Sequence, residues 1–149
     1  MNENHLRNGT LRMRVRTGLT ISITGLVIFA LGANPAVFGL DRSPVTGFIQ
    51  IAVFLVGLAI ICMGGYLSLN ALWNGSQKTI VADIGLRLVS TGYVVSVASG
   101  MADVFGFGNH PFPAIPYFGP YQAIGVMVGE LIIAVGFLMV IPFPSKPTD

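Results

Sequence analysis

The chain has 149 residues, of which 53% are hydrophobic and only 9% charged, and its formal net charge is +2. Soluble proteins carry roughly 25% charged residues, so the composition excludes an ordinary water-soluble domain and predicts a small integral membrane protein. The length corresponds to one domain. We therefore expect a single transmembrane domain over residues 1–149, which leaves no room for a separate soluble domain.

Four apolar stretches are each about long enough to cross a hydrocarbon core of roughly 30 Å as a helix. Prolines and turn residues separate these stretches, because proline disfavours helical geometry in the residue before it and small polar residues favour turns. The sequence predicts an all-α bundle of four transmembrane helices, at about residues 17–33, 45–72, 79–101 and 120–141.

Small residues recur at helical spacing along these stretches. In the first stretch, Gly18, Gly25 and Gly32 are seven residues apart and share one face. Small side chains let helix backbones approach closely in a bilayer, so such stripes predict helix contacts. The same pattern marks Gly92, Ser96 and Gly100 in the third stretch and Gly125 and Gly129 in the fourth.

The positive charges predict the orientation of the helices. With the N-terminus inside, the cytoplasmic positive residues are Arg7, Arg12, Arg14, Arg16, Lys78 and Lys146, against Arg42 outside. The positive-inside rule then favours cytoplasmic positions for both termini. We interpret the basic N-terminal arm as a topology signal and a contact for anionic lipid, not as a nucleic-acid site. A bacterial plasma (inner) membrane is the expected location.

Three charged residues fall inside the apolar stretches. Glu130 lies near the middle of the fourth helix, where an ionised carboxylate costs several kcal/mol unless it is paired, protonated or hydrated. Arg87 lies at a similar depth in the third helix, and Asp83 precedes it by one helical turn on the same face. We expect these three residues to form an intramembrane charge network. An ionic clamp between helices 3 and 4, proton or ion passage, and contact with a charged partner group are the alternative roles.

The segment between the third and fourth helices is rich in aromatic residues and proline, and we expect it to form an outer loop that caps the bundle. The candidate ligand or partner contacts are His110, Phe112 and Tyr117 in this segment and Tyr121 at the start of the fourth helix. Imidazole is a common metal ligand, but the sequence lacks the further ligands of a closed metal site, so we predict no bound metal. A surface for lipid, quinone or pigment is the alternative to a plain cap.

We identify no catalytic residues and expect no enzymatic activity. The leading expectation is an accessory or structural subunit of a larger membrane protein complex, with other integral membrane subunits (self or hetero) and membrane lipids as partners. It rests on small-residue faces that exceed what a lone four-helix bundle can bury. The alternatives are a small oligomeric transporter or channel that uses Glu130 and Arg87, and a pigment- or quinone-binding membrane subunit. No cofactor is predicted beyond a lipid, quinone or pigment.

Overall fold

The computed structural model describes residues 2–39, 47–108 and 118–142, with side chains from residue 8 onward. These residues form four α-helices and one short 3-10 helix at Pro35–Phe38. The α-helices are α1 (Asn2–Ala33), α2 (Phe48–Leu72), α3 (Ile80–Gly100) and α4 (Pro120–Val140). Each contains a stretch long and apolar enough to cross a membrane, which confirms the predicted all-α composition with four such helices.

The helix ends differ from expectation mainly at α1. The helix begins at Asn2 instead of residue 17, because the polar arm before the apolar stretch contains no proline and is rich in arginine, a good helix former. At the other helices the difference is small. α2 begins at Phe48 instead of residue 45, after an extended Gly47, and Thr79 caps α3 by accepting a 3.2 Å hydrogen bond from the backbone N–H of Ala82.

The four helices form two antiparallel hairpins. α1 packs along α2 and α3 packs along α4, whereas α2 makes the contacts that join the hairpins. No Cα atom of α1 lies within 8 Å of a Cα atom of α3 or α4 among the residues that the structure describes. The protein is therefore built from two closely packed pairs with a looser junction between them.

Glycines bring the backbones of the first hairpin together. A Cβ atom at Gly25 would lie 2.6 Å from the Ile61 nitrogen and 2.9 Å from the Gly57 oxygen, and one at Gly64 would lie 2.6 Å from the Gly18 oxygen. Both helices repeat their contact glycines every seven residues, which keeps one face of each helix directed at its partner. The glycine stripe predicted for the first helix thus packs on a matching stripe of α2.

The second hairpin uses the same arrangement. A Cβ atom at Gly85 would lie 2.6 Å from the Gly136 oxygen, and one at Gly129 would lie 2.6 Å from the Gly92 oxygen. The contact glycines of each helix are again seven residues apart. Ser96, buried beside this contact, donates a 3.4 Å hydrogen bond to the Val126 carbonyl.

The two hairpins are also related in sequence, which the analysis of single stretches did not detect. Residues of α1 and the turn after it match residues 67 positions later, and the identical pairs are Gly18/Gly85, Leu19/Leu86, Thr24/Thr91, Gly25/Gly92, Val27/Val94, Val37/Val104, Phe38/Phe105 and Gly39/Gly106. Residues of α2 match residues 72 positions later, and the identical pairs are Gly47/Gly119, Gln50/Gln122, Val56/Val128, Gly57/Gly129, Ile60/Ile132, Ile61/Ile133 and Gly64/Gly136.

The backbone supports this repeat at both ends of the connecting segments. Gly39 and Gly106 both adopt left-handed conformations, with φ of 67° and 86°. Gly47 and Gly119 are both extended N-caps, with φ and ψ of −83° and 167° in the first and −85° and 165° in the second. The chain is therefore an internal repeat of one helical hairpin, with α1 equivalent to α3 and α2 equivalent to α4.

The junction between the hairpins is mainly apolar. It contains two buried clusters, one of Ile51, Phe54, Leu55 and Val126 and the other of Leu58, Val89 and Ile133. Hydrogen bonds between described residues also cross it: the indole of Trp73 donates to the Val140 carbonyl at 2.9 Å, and the Tyr93 hydroxyl donates to the Leu55 carbonyl at 3.5 Å.

The glycine contact of the second hairpin should be sensitive to one methyl group. Gly129→Ala should lower the free energy of unfolding by about 1–3 kcal/mol, because the methyl group would overlap backbone atoms of α3. Gly100→Ala is the matched control: its new Cβ atom would have ordinary contacts of 3.4 Å or more, and alanine favours the helix by up to about 1 kcal/mol over glycine. Thermal unfolding in detergent measures both. Equal stability of the two variants would contradict a close contact between Gly129 and the backbone of α3.

The Trp73 hydrogen bond should contribute measurably to the junction. Trp73→Phe should destabilise the protein by roughly 0.5–1.5 kcal/mol, because it removes the donor for the Val140 carbonyl. Tyr93→Phe is the comparison, and we expect a smaller loss because its 3.5 Å hydrogen bond is long. The same unfolding measurement applies, and a larger loss for Tyr93→Phe than for Trp73→Phe would reverse this ranking.

Candidate functional site

Asp83 and Arg87 form an ion pair on the outward face of α3. Nε and Nη2 of Arg87 both lie 3.1 Å from Oδ2 of Asp83. The pair is well exposed, with 80% of the arginine side chain and 58% of the aspartate side chain accessible. Asp83 lies in the first turn of α3, where a negative charge is favoured by the helix dipole.

Glu130 does not join this pair. It lies ten residues from each end of α4, and no ion pair or side-chain hydrogen bond involves it among the residues that the structure describes. The predicted three-residue network is therefore present only as its Asp83–Arg87 part in this chain.

The reason is the direction of the side chains. Gly85 and Gly92 lie opposite Gly136 and Gly129, so Arg87 is only about 6 Å along the bundle from the level of Glu130. Depth alone would permit contact. We call the line of contact glycines in each hairpin its glycine seam; in the second hairpin it is formed by Gly85 and Gly92 of α3 and Gly129 and Gly136 of α4. Arg87 lies on the side of α3 opposite this seam, and Glu130 faces α1 and not α3.

Glu130 lines a cleft of about 280 Å³ between α1 and α4, which we call the α1–α4 cleft. Phe29 of α1, Phe54 of α2, Phe118 and Met127 also line it. The rings of Phe29 and Phe54 are in edge contact with centroids 6.0 Å apart, and those of Phe54 and Phe118 are likewise 6.0 Å apart. The cleft thus combines one carboxylate with three phenyl rings.

The predicted packing residues lie at contacts within the chain. Gly25, Gly92, Ser96 and Gly129 lie in the two glycine seams, and Gly125 packs against the Ser99 side chain. Gly100 faces Ile51 and Leu55 of α2 more loosely. The expected surplus of small-residue faces for other chains is therefore reduced, since the hairpins themselves use these faces.

The turn after α3 contains a buried carboxylate that the sequence analysis missed. Asp103 is 3% exposed, in a turn closed by hydrogen bonds from the N–H groups of Phe107 and Gly108 to the Ala102 carbonyl. Its signal was present in the sequence, as an acidic residue directly after an apolar helix. Nearby, Gln122 is buried and its side chain accepts a 2.8 Å hydrogen bond from the Gly119 N–H.

The candidate ligand or partner contacts lie between α3 and α4 and in the first turn of α4. His110, Phe112 and Tyr117 lie outside the described residues. Tyr121 lies in the first turn of α4 and is 78% exposed, beside Gln122 at a surface pocket of about 260 Å³. Among the described residues, no group of three or more histidine, cysteine, aspartate or glutamate side chains could hold a metal ion.

Comparison of the chain with protein-family models, with curated proteins and with solved structures finds no match.

Proposed function

We propose that the protein is inserted in a bacterial plasma (inner) membrane and works there as a non-catalytic subunit that binds other integral membrane chains. The single observation that carries this proposal is the exposure of the Asp83–Arg87 pair on a helix apolar enough to cross a membrane. Charged side chains at membrane depth normally face the interior of an assembly or a watery cavity. In this chain they face away from the other three helices.

The polar surface extends beyond the ion pair. Ser90 and Thr91 are also exposed, and we call Asp83, Arg87, Ser90 and Thr91 the α3 polar face. The two hydroxyl groups donate hydrogen bonds to backbone carbonyls one turn earlier in α3, at 3.3 and 2.9 Å. Both hydroxyl groups therefore have hydrogen-bond acceptors without a partner chain. The α3 polar face is therefore compatible with a stable chain that later binds another one.

Arg87 retains hydrogen-bonding capacity for such a partner. A guanidinium group has five N–H donors, and within the described part of the chain Arg87 uses only Nε and Nη2, both on one oxygen of Asp83. A polar or acidic side chain on a neighbouring membrane helix could accept the remaining donors. Anionic lipid headgroups are the competing occupant, because the pair lies in the first two turns of α3.

Cytoplasmic termini follow from the distribution of lysine and arginine, and thiol labelling tests this orientation. Single cysteines would replace Asn8 and Asn34 in a Cys62→Ser background, since these positions lie toward opposite ends of α1. We expect an impermeant maleimide to label position 34 in intact cells, and position 8 only after permeabilisation. Labelling of position 8 alone in intact cells would contradict the orientation.

Site-specific photocrosslinking tests the α3 polar face as a subunit contact. A benzophenone amino acid at Val94, on the same side of α3 as Arg87, should crosslink to protein chains in native membranes. The matched control is Leu131 of α4, which is equally exposed at 65% against 63% for Val94 and should crosslink to lipid.

The variant for this test is the double substitution Asp83→Leu/Arg87→Leu. It should abolish the Val94 protein crosslink without lowering the free energy of unfolding, because removing both partners of the ion pair leaves no unpaired charge. A lipid adduct at both positions would contradict the subunit proposal and assign the face to headgroups. An unchanged protein crosslink in the double variant would show that the ion pair does not carry the contact.

A further inference from the structure

The internal repeat shows that the α1–α4 cleft has a closed counterpart. Because α1 is equivalent to α3 and α2 to α4, the cleft corresponds to the junction between α3 and α2. That junction is packed: a Cβ atom at Gly100 of α3 would lie 3.4 Å from side-chain atoms of both Ile51 and Leu55 in α2. On the other side no Cα atom of α1 lies within 8 Å of α4 in the described residues. The repeat is therefore open between α1 and α4 and packed at the equivalent junction between α3 and α2.

Glu130 itself marks the difference between the two sides. Its repeat counterpart, 72 residues earlier, is Leu58. Leu58 is 5% exposed and packs with Val89 and Ile133 in the junction core. At equivalent positions, Leu58 fills the packed junction between α2 and α3, whereas Glu130 lines the open α1–α4 cleft. The carboxylate therefore occurs on the side of the repeat that is open.

The carboxylate lacks a cation within the described part of the chain. The ion pair there is between Asp83 and Arg87, and Glu130 has neither an ion pair nor a side-chain hydrogen bond. An ionised carboxylate in an apolar environment needs a compensating charge. A proton neutralises the carboxyl group when the cleft is empty, and an occupant that stabilises its ionised form must bring positive charge.

The other lining residues specify the kind of cation. Phe29, Phe54 and Phe118 supply phenyl rings, and aromatic faces attract organic cations as well as apolar groups. Small metal ions would need several oxygen, nitrogen or sulfur ligands, and no such group is found among the described residues. A neutral acyl chain would leave the carboxylate uncompensated.

We infer that the α1–α4 cleft binds one lipophilic organic monocation of the ammonium type, with Glu130 as its counter-ion and Phe29, Phe54 and Phe118 around its apolar part. The volume of about 280 Å³ is near the lower limit of small-molecule pockets, so a cation with a single aromatic ring is the appropriate probe. This site is separate from the α3 polar face and does not depend on the subunit proposal.

Phenyltrimethylammonium and its neutral carbon isostere, tert-butylbenzene, test the inference because they differ in charge and hardly in shape. Binding to the protein in detergent or in nanodiscs of zwitterionic lipid would be measured by titration calorimetry. We expect saturable binding of the cation and at least tenfold weaker binding of the isostere. Glu130→Gln should weaken cation binding at least tenfold, whereas the control Leu131→Gln, at a 65% exposed residue of α4 that does not line the cleft, should leave it unchanged.

A second measurement uses the unsubstituted protein, so that it does not depend on how Glu130→Gln folds. Dicyclohexylcarbodiimide modifies carboxyl groups in apolar surroundings, and peptide mass spectrometry would locate the adduct. We expect modification at Glu130 that phenyltrimethylammonium suppresses and tert-butylbenzene does not. Equal binding of the two compounds, or cation binding that neither requires Glu130 nor protects it, would overturn the inference and leave an apolar cleft only.

Discussion

Close approach between glycines is the constraint on which the rest of this structure depends. Apolar side chains surround these helices almost completely, so apolar burial cannot decide which faces meet, and in a bilayer it supplies little drive between helices. Backbone contact decides it instead. Gly25 opposite Gly57 and Gly92 opposite Gly129 bring each pair of helices so close that a single Cβ atom would overlap the partner's backbone. Seven-residue spacing repeats this contact along each hairpin and fixes its register.

The repeated hairpin explains both the order and the asymmetry of the bundle. Two copies of one unit with the same glycine seams need only an apolar junction to associate, and α2 supplies most of it. The two hairpins differ in how they complete this junction: it is packed between α2 and α3 and open between α1 and α4. Leu58 and Glu130 occupy equivalent positions, one within the apolar core and the other in the α1–α4 cleft. The difference between these two side chains coincides with the difference between a packed junction and an open cleft.

The directions of the charged side chains follow from the same arrangement of glycine contacts. Because the glycine seams occupy the facing sides of α3 and α4, Arg87 points away from α4 and pairs with Asp83 on its own helix. Glu130 lies beside the seam and faces α1. The sequence analysis singled out these residues as charged positions in apolar stretches, and it joined them on the basis of depth. The depth of a residue follows from its position along the helix, whereas the direction of its side chain depends on which helices pack together and through which faces.

The sequence by itself determined the four apolar helices of the described residues, their approximate limits except the start of α1, and the glycine stripe of α1, because apolar length and small-residue spacing are local properties of the chain. It also pointed to Asp83, Arg87 and Glu130, since charge in an apolar stretch is visible without a structure. Only the tertiary structure decided that α1 pairs with α2 and α3 with α4, that Asp103 is buried and that Glu130 lines an open cleft. These features depend on contacts between residues distant in sequence, and the spacing of residues within one helix does not specify which other helix it contacts.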